Sequence, residues 1–229
     1  MIKIDIWSDF VCPYCYIGKK QLDAAIKELG ITDVRFEYHA FELHPDAPKR
    51  PGYSYMEDLL NKFPSEEYLR QLMLNPMEAE AKRLGFEMKF DNIEHQNTMD
   101  AHRLAKYAKF YNKDVEFFDA CYKKVFGDNG FIADADTLIE VGKDLGLDEA
   151  QVRDVVNDEE KFKNLVLEDE ARAEEMGIES VPFYIFNDKY AVSGAQGESS
   201  FKEILKKVND EGGLIDLTNN ANTCGPEGC

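Results

Sequence analysis

Two cysteines separated by two residues, Cys12 and Cys15, form the motif in this sequence best suited to covalent chemistry. A thiolate is the nucleophile in disulfide exchange, and a helix N-terminus stabilises a nearby anion through its free N–H groups and its dipole. If Pro13 is the first helical residue, Cys12 lies at that end and Cys15 lies one turn inside. We therefore predict that Cys12 is the exposed attacking thiolate and that Cys15, more buried and protonated, is the resolving thiol.

Two other interpretations of the pair remain open. A C-x-x-C motif supplies half of a tetrahedral zinc site, and Cys224 with Cys229 near the end of the chain would supply the rest. In the second interpretation, the two thiols are inert core residues. The pair follows a strand and opens a helix, whereas zinc ligands usually follow a hairpin, so the pattern favours a redox pair.

Pro182 is the second candidate, because it follows Val181 and precedes the apolar run 183–186. A proline cannot donate to a strand ladder, and base rates favour a trans proline at a sheet edge. The order of the elements nevertheless places this segment beside the helix start that carries Cys12. A cis bond there would present the Val181 backbone to an extended peptide.

The elements that would position these residues follow from the hydrophobic periodicity. Alternating apolar residues predict strands near 2–8, 34–38, 183–186 and 190–192, and the first two belong to a parallel βαβ unit. Residues 45–158 have mainly helical spacing, with Asp136 and Asp148 as predicted N-caps. We expect a discontinuous α/β domain of residues 1–44 and 159–211, an all-helical insertion of residues 45–158, and a tail of residues 212–229.

The composition of the chain limits the classes of partner that it can bind. The chain has 229 residues with a formal charge of −18, and such an acidic protein is repelled by nucleic acids and by anionic lipid surfaces. The sequence contains no long apolar segment and begins without an export-signal pattern. We therefore expect a soluble cytoplasmic protein without nucleic-acid or membrane partners.

Asn97 and His102 are weaker candidates, at the start of and within a predicted helix. They are assigned here to substrate binding, although a core or solvated position for the histidine is the main alternative. Cys121 lies among aromatic residues and is expected to be a buried thiol. No metal site is predicted: His44 has no evident ligand set, and His95 is expected at the surface.

The terminal pair Cys224 and Cys229 closes a short segment of six residues. Acidic neighbours disfavour thiolates there, so this pair is not expected to attack a substrate first. It is either inert or locally bridged, or it is a second redox pair that exchanges electrons with Cys12 and Cys15.

Three separated motifs together resemble one family. The segments 8–18 (SDFVCPYCYIG), 97–104 (NTMDAHRL) and 180–196 (SVPFYIFNDKYAVSGAQ) resemble the FrnE-like branch of the DsbA-family proteins. The resemblance implies a thioredoxin-like fold with a helical insertion and thiol-disulfide oxidoreductase or isomerase activity. It also implies that Cys12 is the nucleophile, Cys15 the resolving cysteine and Pro182 the cis-proline. Pro13, Tyr14 and Val181, which adjoin these residues in the sequence, are assigned to substrate binding.

Under this resemblance the substrates are thiol- or disulfide-containing proteins or small thiols. No cofactor is expected besides the redox-active disulfide, with glutathione as a possible co-substrate. The dipeptide between the cysteines is also similar to that of glutaredoxins, which leaves the direction of electron flow open. Two alternatives remain. One is a glutathione-dependent transferase or isomerase of the kappa or 2-hydroxychromene-2-carboxylate isomerase type, and these enzymes use a serine at the helix start. The other is a non-catalytic client-binding module.

Overall fold

The computed structural model describes residues 1–50 and 52–212, and within them the chain builds a mixed four-stranded sheet. The sheet order is β2-β1-β3-β4. Strand β1 is an inner strand and is almost completely buried on both faces, whereas its alternating isoleucines by themselves predict only one buried face. The strands are β1 (Ile2–Ser8), β2 (Val34–Ala40), β3 (Phe183–Phe186) and β4 (Tyr190–Ser193).

The strand register places two distant segments next to each other. Strand β1 is parallel to β2, as the predicted βαβ unit requires, and β3 is antiparallel to both β1 and β4. Trp7 pairs with Phe183 at the end of the β1–β3 ladder. The residues that follow Trp7 and the residues that precede Phe183 therefore meet at the same edge of the sheet.

The first helix, α1 (Pro13–Glu28), begins at the residue that its sequence predicts. Cys12 is the N-cap in an extended conformation, and Pro13 is the first helical residue. Proline suits this position because its missing N–H would have no helical partner there. The chain leaves the helix through Gly30, whose φ of +65° is readily available only to glycine.

Most of the remaining helices lie between β2 and β3. They include two π-helical segments, at Arg70–Leu74 and Lys123–Gly127. The helices are α2 (Tyr55–Leu60), α3 (Glu66–Leu69), α4 (Asn75–Arg83), α5 (Met99–Lys109), α6 (Asp114–Tyr122), α7 (Ala135–Asp144), α8 (Glu149–Asn157), α9 (Lys163–Glu175) and, after the sheet, α10 (Gly197–Gly212).

One of the two predicted N-caps in this region is correct and one is wrong. The Asp148 carboxylate accepts a hydrogen bond from the Gln151 N–H, as an N-cap does. Helix α7, however, is capped by Asp134, whose carboxylate accepts from the Thr137 N–H, and Asp136 lies in its first turn. Both aspartates suit a helix start, so spacing alone does not distinguish them.

The helices between β2 and α9 share a core with the sheet. One continuous cluster of buried apolar side chains includes Ile4 and Tyr16 from the sheet region together with Leu104, Phe118 and Val152 from the helices. This shared core holds the helices directly against the segment that carries the two cysteines. No helix within 1–50 and 52–212 has the length and apolarity needed to cross a membrane.

A buried ionic network joins the sheet to the helices. His39 on β2 contacts Asp5 at 2.8 Å and Asp169 of α9 at 3.0 Å, and Lys106 of α5 also pairs with Asp169. Burial alone would lower the pKa of His39, but hydrogen bonds to Asp169 and Asp5 raise the pKa above its ordinary value. The imidazole thereby bridges two carboxylates across the sheet, and both contacts favour its protonated form.

Gly18 of α1 lies where a side chain would crowd its neighbours. A Cβ there would overlap the buried Tyr184 hydroxyl and lie 3.3 Å from Pro182 Cγ. Alanine is favoured over glycine in a helix by about 1 kcal/mol, but overpacking costs about 1–3 kcal/mol. We expect Gly18→Ala to lower the free energy of unfolding by about 1 kcal/mol in urea denaturation.

The matched control is Tyr184→Phe, which removes a buried hydroxyl that has no hydrogen-bond partner within the described chain. Adding this change to Gly18→Ala is expected to restore most of the lost stability, because the overlapping atom is gone. A Gly18→Ala protein as stable as the parent, or a double variant without recovery, would contradict this packing.

Candidate active site

The Cys12 thiol lies between the start of α1 and the segment before β3. Its Sγ donates a hydrogen bond to the Val181 carbonyl oxygen at 3.6 Å. The Val181–Pro182 peptide bond is cis, in agreement with the conformation that the family resemblance implies. Cys12 is 5% exposed, which is less than the open position that the sequence predicts, because the Val181 segment covers part of the sulfur.

Cys15 lies one turn further along α1 and is 1% exposed. Burial and then the neighbouring Cys12 thiol raise the pKa of Cys15 well above its ordinary value, whereas hydrogen bonds with the Ser8 hydroxyl and the Asp9 backbone oppose that rise. The Ser8 hydroxyl is in turn hydrogen-bonded to Tyr122 of α6. A polar chain therefore runs from Cys12 through Cys15 and Ser8 to the helices.

Tyr14 and Pro13 separate the two thiols and differ in exposure. Pro13 is buried at the first helical position, whereas 44% of Tyr14 is exposed. Burial of its ring, followed by the charge of Cys12, raises the pKa of Tyr14, so its hydroxyl stays neutral at physiological pH. An exposed aromatic ring with a neutral hydroxyl beside Cys12 can contact an incoming chain through both apolar and polar groups.

Asn97 and His102 contact protein groups. The Asn97 amide donates to the Ala47 carbonyl at 3.1 Å and accepts from the Met99 N–H at 2.9 Å. His102 is only 1% exposed, and its Nε2 lies 3.4 Å from Asp9 Oδ1. Both side chains thus contact protein groups, and direct substrate binding by either residue stays a prediction.

Glu42 is a buried acid close to Asp9 and Glu170, and nothing in its sequence context marks it as a site residue. Burial, followed by the charges of Glu170 and Asp9, raises the pKa of Glu42 to about 8. Asp9 Oδ2 accepts a hydrogen bond from the Leu43 N–H at 2.8 Å. Glu42 follows an ordinary β2 strand pattern, so only its tertiary neighbours distinguish it from a surface glutamate.

The remaining sequence candidates have mixed outcomes. Cys121 is fully buried, as expected. The expectation that His95 lies at the surface is wrong, because it is 5% exposed and packs at a ring-centroid distance of 4.6 Å from His44. Cys224 and Cys229 lie outside the described residues.

Comparisons with known proteins agree with this arrangement. The chain is 32% identical to the uncharacterised protein YwbO of Bacillus subtilis over 212 residues, covering 92% of this chain and 97% of YwbO. Among solved structures, a probable DsbA oxidoreductase from Streptomyces coelicolor is 30% identical, with a TM-score of 0.86 and coverage of 100% of this chain and 98% of that one.

A more distant structure shares the fold. The cytosolic disulfide reductase DsbM from Pseudomonas aeruginosa with GSH is 16% identical, with a TM-score of 0.60 and coverage of 91% of this chain and 99% of that one. The family of DSBA-like thioredoxin domains matches residues 3–206. The four-stranded sheet, the helix that begins after Cys12 and this match together show that the chain belongs to the DsbA-like family of thioredoxin-fold proteins.

Proposed function

We propose that the protein catalyses thiol–disulfide exchange through Cys12 and Cys15. The contact of the Cys12 thiol with the Val181 carbonyl, at the N-terminus of α1, is the observation that carries the proposal. A thiol in this position lies next to free backbone N–H groups that stabilise its anion, and it adjoins a backbone segment able to align a peptide.

The exchange has two balanced steps. The Cys12 thiolate attacks one sulfur of a substrate disulfide, forms a mixed disulfide and releases the other substrate sulfur as a thiolate. Cys15 then loses its proton and attacks Cys12 Sγ, which releases the second substrate sulfur and closes the Cys12–Cys15 disulfide. Two electrons pass from the pair to the substrate, and the reverse sequence oxidises a substrate dithiol.

The raised pKa of Cys15 determines which of the two sulfurs attacks first. Burial holds the Cys15 proton in place until the mixed disulfide forms, so Cys15 does not compete with Cys12 for the first attack. Ser8, hydrogen-bonded to both Cys15 and Tyr122, is positioned to stabilise the developing Cys15 thiolate. The two sulfurs therefore act in a fixed order.

The substrate side of the site consists of Tyr14 and the Val181–Pro182 segment. An extended polypeptide lying along this segment would place its sulfur over Cys12, with Tyr14 packing against it. Small thiols are the second substrate class, supported by the structure of the Pseudomonas reductase with GSH. No other cofactor is required by the exchange, and a cytoplasmic location and a place in the FrnE-like branch remain predictions.

Trapping of the mixed disulfide tests the order of attack. We expect Cys15→Ser to accumulate a covalent adduct with a disulfide peptide, because the resolving sulfur is missing. We expect Cys12→Ser to form none and to lose turnover to the uncatalysed background. Intact-mass measurement after rapid acid quenching identifies the adduct, and Cys121→Ser is the matched control because its sulfur is buried away from the surface.

Adduct formation by Cys12→Ser at the rate of Cys15→Ser would contradict the assignment of the nucleophile. Turnover that requires glutathione and persists in a Cys12→Ser protein would instead favour the transferase or isomerase class. Absence of any exchange by the parent protein would leave a client-binding module.

The role of the terminal pair is tested separately. If Cys224 and Cys229 pass electrons to the active pair, replacing both with serine slows recharging of Cys12–Cys15 but leaves single-turnover attack unchanged. Stopped-flow measurement follows the single-turnover attack and the recharging of the active pair as two separate phases. Equal rates for the parent and the double-serine protein in both phases would exclude the relay.

A further inference from the structure

A second constellation of chemically active side chains lies near the cysteines and has no part in the exchange. His44 follows β2, Asp58 is on α2, and His95 is in the loop before α5. One potential ligand atom from each residue lies within 4.8 Å of those of the other two. Two imidazoles and a carboxylate from three separate parts of the chain therefore lie close together.

These side chains line a cavity of about 230 Å³. The same cavity is bounded by Val11, which directly precedes Cys12, and by Tyr55. A cavity of this size holds a cation together with the water or small ligand that would complete its coordination. The constellation is therefore accessible to an ion and is not closed off inside the core.

His95 supplies an independent indication that a ligand belongs here. The residue is 5% exposed, and its Nδ1 has no hydrogen-bond partner within residues 1–50 and 52–212. An unpaired buried nitrogen is unfavourable, and such groups in native proteins call for an explanation such as an ion. The unpartnered Nδ1 of His95 is therefore available to coordinate a metal ion.

We propose that His44, Asp58 and His95 bind one divalent transition-metal cation of the zinc class. Two imidazoles and one carboxylate are a ligand set that Zn²⁺ accepts, whereas Ca²⁺ and Mg²⁺ require oxygen ligands. Tetrahedral ligands at about 2.0–2.1 Å from zinc are about 3.4 Å apart, so small side-chain rotations close the present spacing. The cavity that these residues line can hold the water or small ligand that completes the coordination.

Lys62 is the protein group that competes with the cation. Its ammonium group lies 2.8 Å from Asp58 Oδ2, and 55% of its side chain is exposed. Because the Lys62 side chain is this exposed, the lysine can move into solvent when a metal binds.

The test uses the full chain with Cys12, Cys15, Cys224 and Cys229 replaced by serine, so that thiolates contribute no metal ligands. Titration with Zn²⁺ by calorimetry is expected to show one saturable site per chain. His95→Gln and His44→Gln are each expected to weaken Zn²⁺ binding by at least about 100-fold, because losing a direct ligand exceeds the effect of losing its supporting hydrogen bond.

The matched control is Glu94→Gln, a carboxylate that lines the same cavity but is outside the constellation. It is expected to leave the Zn²⁺ affinity within about twofold, because exposed charges at this distance are screened. Lys62→Gln is expected to bind Zn²⁺ more tightly and keeps the proposal testable if the histidine variants fail to fold.

Three results would overturn the proposal. They are the absence of saturable Zn²⁺ binding in the four-serine protein, an unchanged affinity in folded His95→Gln, and an affinity for Lys62→Gln no higher than that of its parent. Because the active cysteines are absent from this protein, the outcome is independent of the proposed exchange reaction.

Discussion

The antiparallel register of β1 and β3 is the constraint on which the rest of the site depends. Trp7 is paired with Phe183, so the chain leaving β1 meets the chain entering β3. This pairing brings Cys12 to the Val181 carbonyl although the two residues are far apart in sequence. A slip of one residue would reverse the faces of β3 and move Tyr184 and Phe186 out of the core.

The two sulfurs of the pair have different surroundings despite being one helical turn apart. Cys12 caps α1 and retains a small accessible surface at the Val181 segment. Cys15 faces inward, where burial stabilises its neutral thiol and Ser8 connects it to Tyr122 of α6. The helices that share the core with the sheet thus determine the environment of the resolving sulfur as well as the stability of the fold.

Local patterns in the sequence were enough to predict the strands and the start of α1 at Pro13, and the order of the elements was enough to place the Val181–Pro182 segment beside that helix start. These features depend on neighbouring residues and on strand order. The low exposure of Cys12 and the burial of His95 were not predictable in the same way. Both result from contacts between segments that are distant in sequence, and such contacts leave no periodic pattern in the sequence.

Selective alkylation of the reduced protein tests the central claim, the unequal environments of the two active-site sulfurs, most directly. Brief treatment with iodoacetamide at neutral pH, followed by peptide mass spectrometry, gives a separate rate for each cysteine. The account predicts that Cys12 reacts at least about tenfold faster than Cys15, and that Cys121 reacts only after unfolding. Modification of Cys15 as fast as Cys12, or a Cys12 as unreactive as Cys121, would contradict it.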